Sequence, residues 1–407
     1  MNNKKKFRLG KRSILAIGLA GALVLFAASC EQLPVILDHN ARLKPIPATD
    51  RMIGEQTAIP AKYESIITDA NLILEQAVTS MQLPAISIAI GLDGELIWAR
   101  ALGLRDLENG TPVSLDTRFR IGSTAKALTG TLAARLVEES ILDLDAPISG
   151  LVPYYPAKPH DITTRHLLTH TAGIRHYEGA EYYSRKTHEN VESAVDVFSR
   201  SPLKFDPGTG FAYSSYGYVL ASASMEGASG LSFDELIEEK LATPLDMPNT
   251  MREGLALGDF ATPYEIRGGK YKTPFPADNS NRTAGGGFVA TPTDLVLMTQ
   301  EIMTGDYLTS STKETLLYTP QKLTNGDINE QNYALGWRSH NWNRMFEGER
   351  DVFIAHHYGK ASGSESFLAM FPEYNLSISI VTNRNLEDTL EFSGLIIPIA
   401  EKIIQQR

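Results

Sequence analysis

Apolar residues recur with two different periods between residues 63 and 102. Residues 63–81 carry them at helical spacing, which predicts an amphipathic helix. Residues 85–91 and 95–102 are short runs with strand-like composition, and the Asp93-Gly94 dipeptide between them is typical of a tight hairpin turn. The pattern therefore predicts one helix followed by a β-hairpin.

The pattern changes in the middle of the chain and changes back near its end. Residues 123–305 show mostly helical spacing interrupted by loops that contain glycine and proline. Strand-like runs return at 351–357, 364–371 and 376–382, and residues 390–404 predict a closing helix. Strands at both ends with helices between them predict an α+β fold, in which both termini build one sheet around an inserted, mostly helical subdomain.

The first thirty residues differ in composition from the rest. They hold six basic side chains near their start and no acidic one, and residues 14–28 form an apolar run. This combination predicts an export signal. Cys30, the single cysteine, resembles the acylated cysteine of the lipobox of bacterial lipoproteins, although Ala27 stands where leucine is usual. Simple cleavage of the signal and an uncleaved anchor helix are the alternatives.

These features divide the chain into three parts. Residues 1–30 are predicted to be a signal, and residues 31–60, which mix prolines, charges and isolated apolar residues without a period, a flexible tether. Residues 61–407 are predicted to form one domain, with the helical insertion at about 125–330. This organisation predicts a protein of the bacterial cell envelope, held at a membrane by its N terminus.

The charge of the chain excludes one class of partner. The formal net charge is −10, and removal of the six positive charges in the signal makes it −16. So negative a protein is not expected to bind nucleic acid. A length of 407 residues with 43% hydrophobic side chains is sufficient for a large core.

Ser123 and Lys126 stand three residues apart where a long helix is predicted to begin. On one face of that helix, the lysine amine would lie close enough to take the proton of the serine hydroxyl. The pair is therefore a candidate nucleophile and base, and the alternative is a buried, structural Ser-Lys pair. Two more S-x-x-K matches, at 201–204 and 310–313, run into a turn and a polar segment with capping hydroxyls, so they are less suited to this chemistry.

Two further groups could complete such a site. Tyr213 follows a Pro-Gly turn at the entrance of a predicted helix, where it could relay a proton, although Tyr216 and Tyr218 beside it also fit an aromatic packing cluster. His357 and Gly359 end a predicted strand, and the glycine would allow a substrate backbone to approach the strand edge. The alternative for His357 is a structural histidine.

These motifs together resemble a known family. The serine β-lactamase-like superfamily, which includes class C β-lactamases, D,D-peptidases and related esterases, has three active-site motifs that resemble Ser123-x-x-Lys126, Tyr213-Ser214-Ser215 and His357-x-Gly359. The resemblance extends from about residue 63 to the C terminus. Residues 213–215 and 278–280 are most similar to the mitochondrial serine β-lactamase-like proteins and their bacterial relatives.

The resemblance implies a β-lactamase/transpeptidase-like α+β fold, an α/β sandwich with an antiparallel sheet flanked by helices. It also implies a serine hydrolase without a cofactor that acts on an ester, amide or peptide-like substrate. Ser123 would be acylated, Lys126 would activate it, and Tyr213 would pass the proton to the leaving group. The backbone N–H groups of Ser123 and Lys360 would form the oxyanion hole.

Two positions depart from the family pattern. Ser215 stands where asparagine is usual, and it lacks the amide that both donates and accepts. His357, which with Gly359 would line the edge strand, stands where a lysine is usual, and a neutral imidazole holds an anion less well. Efficient β-lactam hydrolysis is therefore disfavoured, and esterase or peptidase activity stays open. The alternative is a catalytically weak penicillin-binding or assembly protein with the same fold.

Two other patterns suggest ligand binding less strongly. His166 and His170 have the i, i+4 spacing of a helical zinc pair, but the glutamate of H-E-x-x-H and a third ligand are missing, so structural histidines are favoured and no metal is predicted. Residues 284–287 are glycine-rich without the Lys-Ser/Thr of a phosphate-binding loop, which favours close backbone packing.

Overall fold

The computed structural model describes residues 52–256 and 258–407. The predicted export signal and Cys30 lie outside these residues, as does most of the predicted tether. Within the two described ranges, no helix combines the length and the apolar character needed to cross a membrane.

The strands are β1 (Gly54–Gln56), β2 (Ala85–Leu92), β3 (Glu95–Asp106), β4 (Thr111–Pro112), β5 (Phe119–Arg120), β6 (Met251–Arg252), β7 (Glu265–Arg267), β8 (Lys270–Lys272), β9 (Phe288–Ala290), β10 (Arg338–Trp342), β11 (Val352–Ala361), β12 (Ser364–Phe371) and β13 (Leu376–Thr382). The α-helices of four or more residues are α1 (Glu64–Ser80), α2 (Ala125–Glu138), α3 (Thr164–Leu168), α4 (Val191–Val195), α5 (Ser215–Ser229), α6 (Phe233–Ile237), α7 (Thr283–Gly286), α8 (Pro292–Thr304), α9 (Thr389–Gly394) and α10 (Ile397–Gln405).

The main sheet joins strands from the two ends of the chain. Its order is β1-β3-β2-β13-β12-β11-β10, with β4 at the side of β3, and all of its pairs are antiparallel. The N-terminal hairpin meets the C-terminal strands where β2 pairs with β13, for example at Ile88 and Ile380. The α+β class, with one sheet built from both termini and helices between them, is confirmed.

Helices cover both faces of this sheet. On one face, Ile86, Ile88 and Ile90 of β2 are fully buried in a cluster that also contains residues of α1 and α10. On the other face, Ala89 packs with Val296 of α8. The small side chain of Ala89 lets α8 lie close to the strands on this face. Because successive side chains of a strand point to opposite faces, helices bury both faces of β2.

The sheet is wider at both edges than the sequence pattern predicts. Gly54 pairs with Leu102 through β1, so residues 54–56, which the sequence assigns to the tether, belong to the sheet. At the opposite edge, Arg338 of β10 pairs with His356 of β11. Backbone hydrogen bonds make both pairings, and such bonds leave no hydrophobic period in a short strand.

The predicted closing helix is divided in two. Residues 390–404 were expected to form one helix, whereas α9 ends at Gly394 and α10 begins at Ile397. Pro398 lies in the first turn of α10. Proline has no backbone N–H and is tolerated in that turn, while inside a continuous helix it would clash with the preceding turn.

Candidate active site

Ser123 lies in a single helical turn, Gly122–Thr124, that leads directly into α2. This turn packs tightly against β11. Gly122 has a φ of +50°, and a Cβ atom there would lie 2.7 Å from the backbone of Lys360. The positive φ and the close backbone contact therefore both disfavour a side chain at position 122, and its absence keeps the Ser123 turn beside the backbone of Lys360.

Gly359 has a different role from the one expected. The sequence predicts that it admits a substrate backbone at the strand edge. In the structure, a Cβ atom at Gly359 would lie 1.9 Å from the carbonyl oxygen of Ile121, just before the Ser123 turn. The glycine thus admits a segment of the same chain, because β11 and the Ser123 turn are in direct backbone contact.

Lys126 lies in the first turn of α2 and is fully buried. Its Nζ atom is 3.2 Å from the Oγ atom of Ser123 and 2.8 Å from that of Ser215, and it also contacts the carbonyl oxygen of Gly285. A carbonyl can only accept a hydrogen bond. A neutral amine that donates to Gly285 and Ser215 therefore keeps its lone pair for the Ser123 hydroxyl.

The surroundings of Lys126 favour the neutral amine. Burial holds the pKa of Lys126 well below its usual range, and the positive charge of Arg338 lowers that pKa further. Both effects act against a second cation in the site. The arrangement is that of a serine hydroxyl beside an amine whose surroundings favour its neutral form.

Tyr213 lies on the loop before α5, within reach of both groups. Its ring centroid is 4.9 Å from the Nζ atom of Lys126. Burial raises the pKa of Tyr213, and the charge of Arg338 and interactions with the Ser123 hydroxyl oppose that rise. The structure thus brings Tyr213 beside Ser123 and Lys126.

The neighbouring tyrosines belong to the core. Tyr216 is fully buried and stacks on Phe198 at a centroid distance of 4.5 Å. Tyr218 is also fully buried, and its hydroxyl donates to the carbonyl of Leu168. The packing-cluster interpretation therefore applies to these two tyrosines, whereas Tyr213 faces the site.

Ser215 lies at the start of α5 and is 2% exposed. Besides the contact with Lys126, its backbone N–H donates to Nδ1 of His176 at 3.0 Å. Burial lowers the pKa of His176 to about 4, so this imidazole is neutral and can accept. Ser215 therefore takes part in holding Lys126, in addition to lining the cleft described below.

His357 is fully buried and lies behind the site. Its Nδ1 atom is 2.7 Å from the carbonyl oxygen of Tyr358, and its Nε2 atom is 2.8 Å from the hydroxyl of Tyr333 and 3.3 Å from a guanidinium nitrogen of Arg338. The structure therefore differs from the expectation that His357 contacts the substrate. Both of its ring nitrogens have partners within the protein, and the side chain is not exposed to the cleft.

A cleft of about 410 Å³ opens above Ser123. Tyr177, Tyr182 and Tyr183 contribute aromatic surface to it, and Arg282 and Lys360 contribute two cationic side chains, of which Lys360 is already paired with the buried carboxylate of Glu365 at 3.1 Å. Among the residues that the structure describes, no carboxylate lines the cleft. Its composition suits a substrate with an apolar or aromatic part and a negative or strongly polar group.

Sequence reasoning missed the side chains that shape the site from outside the motifs. Arg282 lies over the ring of Tyr177 at 4.4 Å, and Arg338 lies 5.6 Å from the ring of Tyr213. Neither arginine belongs to a periodic pattern. The one available signal was the position of Arg282, which lies two residues before the 284–287 glycine run.

The other S-x-x-K matches lie in structural contacts. The hydroxyl of Ser201 accepts from Arg175 at 2.8 Å, and Lys204 is exposed. Ser310 begins a short helical turn, and the amine of Lys313 donates to the carbonyl of Gly305. Neither pair has the direct amine-to-hydroxyl contact found between Ser123 and Lys126.

The two histidines considered for zinc accept backbone hydrogen bonds. Nδ1 of His166 accepts from the N–H of Thr163, and Nδ1 of His170 accepts from the N–H of Ser214. Across residues 52–256 and 258–407, no group of three or more His, Cys, Asp or Glu side chains is placed to hold a metal ion. The glycine run packs as expected, since a Cβ atom at Gly285 would lie 2.9 Å from the carbonyl oxygen of Ser215.

The sheet, the helical insertion and the Ser-Lys pair between them define a β-lactamase/transpeptidase-like protein. The family model described as "Beta-lactamase" matches residues 70–394, and the chain belongs to this family. The human protein "Serine beta-lactamase-like protein LACTB, mitochondrial" is 26% identical, with 79% of this chain and 75% of the relative covered.

Two more relatives carry names of hydrolases. "Esterase EstB" of Burkholderia gladioli is 30% identical over 52% of this chain and 57% of the esterase. The solved structure of the D-amino acid amidase from Ochrobactrum anthropi SV3 complexed with D-phenylalanine has a TM-score of 0.69 and 22% identity, and the match covers 84% of this chain and 100% of the amidase. The amidase supports the fold alone, and the family assignment confirms the resemblance described above.

Proposed function

We propose that this protein is a serine hydrolase that forms an acyl-enzyme at Ser123 and acts on an ester, amide or peptide-like substrate. One observation carries the proposal: the Nζ atom of the fully buried Lys126 lies 3.2 Å from the Oγ atom of Ser123. A lysine held neutral by burial can accept the hydroxyl proton as the oxygen attacks. The name of the related esterase supports a substrate of this kind.

The reaction would proceed in two halves. Ser123 Oγ attacks the substrate carbonyl while its proton moves to Lys126, and a tetrahedral oxyanion forms. The N–H groups of Ser123 and Lys360 are the proposed donors to that oxyanion, and the close contact of Gly122 with Lys360 supports the pairing. The proton then passes through Tyr213 to the leaving group as the ester or amide bond breaks. Water hydrolyses the acyl-enzyme by the reverse sequence.

Labelling with a fluorophosphonate probe tests the proposed nucleophile. We expect one adduct by intact mass, mapped by peptide analysis to Ser123 and absent from Ser123→Ala. Ser201→Ala and Ser310→Ala serve as matched controls and should label like the parent, because neither hydroxyl contacts a buried amine. An adduct on one of those two serines would contradict the site. A parent without an adduct, and no more active than Ser123→Ala, would support a binding or assembly protein.

We also propose that the chain is an envelope lipoprotein anchored through Cys30. The basic start, the apolar run and the small residues before Cys30 support this proposal. Cys30→Ala should release the protein from the membrane fraction, since burial of acyl chains contributes about 0.8 kcal/mol per methylene. Ser29→Ala exchanges one small residue for another and keeps Cys30, so it should leave the protein membrane-bound. Retention of Cys30→Ala in membranes would indicate an uncleaved anchor helix instead.

A further inference from the structure

Arg338 reaches the catalytic groups from the edge of the sheet. It is the first residue of β10, the outermost strand on that side. Its guanidinium carbon lies 5.6 Å from the ring centroid of Tyr213 and 5.3 Å from that of Tyr333. The side chain thus brings a permanent positive charge into the aromatic part of the site.

Two neighbours hold the guanidinium in one orientation. The amide oxygen of Gln331 accepts from two of its nitrogens, at 3.2 Å from Nε and 2.6 Å from Nη2. The third nitrogen, Nη1, lies 3.3 Å from Nε2 of His357. Fixed on both sides, the guanidinium loses little further entropy when it acts on the site.

The protonation of His357 follows from its contacts. Its Nδ1 atom faces the carbonyl oxygen of Tyr358, which can only accept, so Nδ1 carries the hydrogen. Burial and the charge of Arg338 hold the pKa of His357 well below its usual range, so Nε2 keeps a lone pair. That lone pair can accept from Arg338 or Tyr333. The buried histidine is therefore an acceptor that helps to orient the arginine.

The other titratable groups facing the catalytic pair are neutral. Burial lowers the pKa of each facing histidine and raises the pKa of each facing tyrosine. These groups are His170, His176, His357, Tyr177, Tyr218 and Tyr333. Among the residues that the structure describes, Arg338 is the charged side chain whose field acts on both Lys126 and Tyr213.

We propose that Arg338 is a positioning residue whose fixed charge, added to the effect of burial, disfavours a proton on the base of the Ser123 reaction. A nearby cation disfavours a proton on Lys126, and it also favours the loss of a proton from Tyr213. Both effects favour the deprotonated base, so the conclusion does not depend on which of the two groups takes the serine proton. The inference rests on the proposed acyl-enzyme function.

The pH dependence of hydrolysis of a p-nitrophenyl ester tests this role. The acidic limb of kcat/KM reports the protonation of the base in the free enzyme. In Arg338→Gln the acidic limb should move to higher pH by about one unit. At a pH on that limb, kcat/KM should fall about tenfold, and a higher pH should restore it. Arg338→Lys keeps a positive charge and should retain most of the parent profile. Arg344→Gln is the matched control, because Arg344 lies over the Trp342 ring at 5.2 Å and the limb should not move.

A second readout does not depend on activity. In protein carrying 13C at the lysine Cε atoms, the signal absent from Lys126→Met belongs to Lys126, and its titration midpoint should rise in Arg338→Gln. A uniform loss of activity at every pH with an unchanged midpoint would assign Arg338 a merely structural role and overturn the inference. If the parent hydrolyses no ester and is not labelled at Ser123, the proposed function fails, while the lysine midpoint still decides whether Arg338 acts on the amine.

Discussion

Replacement of Lys126 by methionine is expected to lower kcat for ester or amide hydrolysis by about a thousandfold, while the protein remains folded. A positioned general base typically contributes between about a hundredfold and ten thousandfold, and Lys126 is the amine that contacts the Ser123 hydroxyl. Methionine has a similar volume and cannot accept the proton. Steady-state kinetics with a p-nitrophenyl ester measure the loss of kcat. Circular dichroism of the purified variant checks that it remains folded.

Lys204→Met is the matched control for this prediction. It removes the lysine of a second S-x-x-K match, but this lysine is exposed and should not affect hydrolysis. Burial depresses the pKa of Lys126 in the folded protein. At neutral pH the lysine of the unfolded chain binds a proton that the folded protein disfavours. This difference costs stability at neutral pH, so Lys126→Met is not expected to be destabilised by loss of charge. Activity within a few-fold of the parent would remove Lys126 from the mechanism.

Replacement of Gly359 by alanine is expected to destabilise the protein by about 3 kcal/mol, the upper range for overpacking a tight core. The new Cβ atom would lie 1.9 Å from the carbonyl oxygen of Ile121 and 2.8 Å from the hydroxyl oxygen of Thr124. A backbone carbonyl cannot rotate away as a side chain can, so β11 and the Ser123 turn must separate. Urea denaturation should show a lower midpoint with an unchanged slope.

The same substitution should reduce catalysis by more than the loss of folded protein explains. Separation of β11 from the turn would move the N–H of Lys360 away from Ser123, and loss of one oxyanion donor typically costs about a hundredfold or more. Gly150→Ala is the matched control, since a Cβ atom at Gly150 meets no atom within 4 Å. An alanine at position 359 that leaves both the urea midpoint and kcat unchanged would contradict the observed contact between the two segments.

Much of the fold was accessible from the pattern of the sequence. Strands β12 and β13 were predicted with the bounds that the structure shows, and α1 within one residue at each end. These elements bury long regular runs, so their periods are strong. The short β1 and β10 were missed because three to five residues held mainly by backbone hydrogen bonds carry almost no hydrophobic period.

The candidate site was also predictable from the sequence only in part. The spacing of Ser123 and Lys126 places them on one helical turn, and such local geometry follows from the sequence. The position of Tyr213 beside them required the family resemblance, because a loop before a helix does not specify what it faces. The family resemblance differed from the structure in one case: it implied that His357 lines the substrate edge, whereas burial makes His357 a neutral acceptor within the protein, as the structural alternative from the sequence has it.

The sequence by itself determined the helical and strand segments with strong periods, the family, and the Ser123-x-x-Lys126 pair. Only the tertiary structure decided that Gly359 accommodates the Ile121 backbone, and that Arg338 reaches Tyr213 from a strand more than a hundred residues away. The physical reason is the separation along the chain of the residues that interact. Periodicity and motif spacing record contacts within one element, while steric fit and electrostatic fields depend on which distant segments the fold brings together.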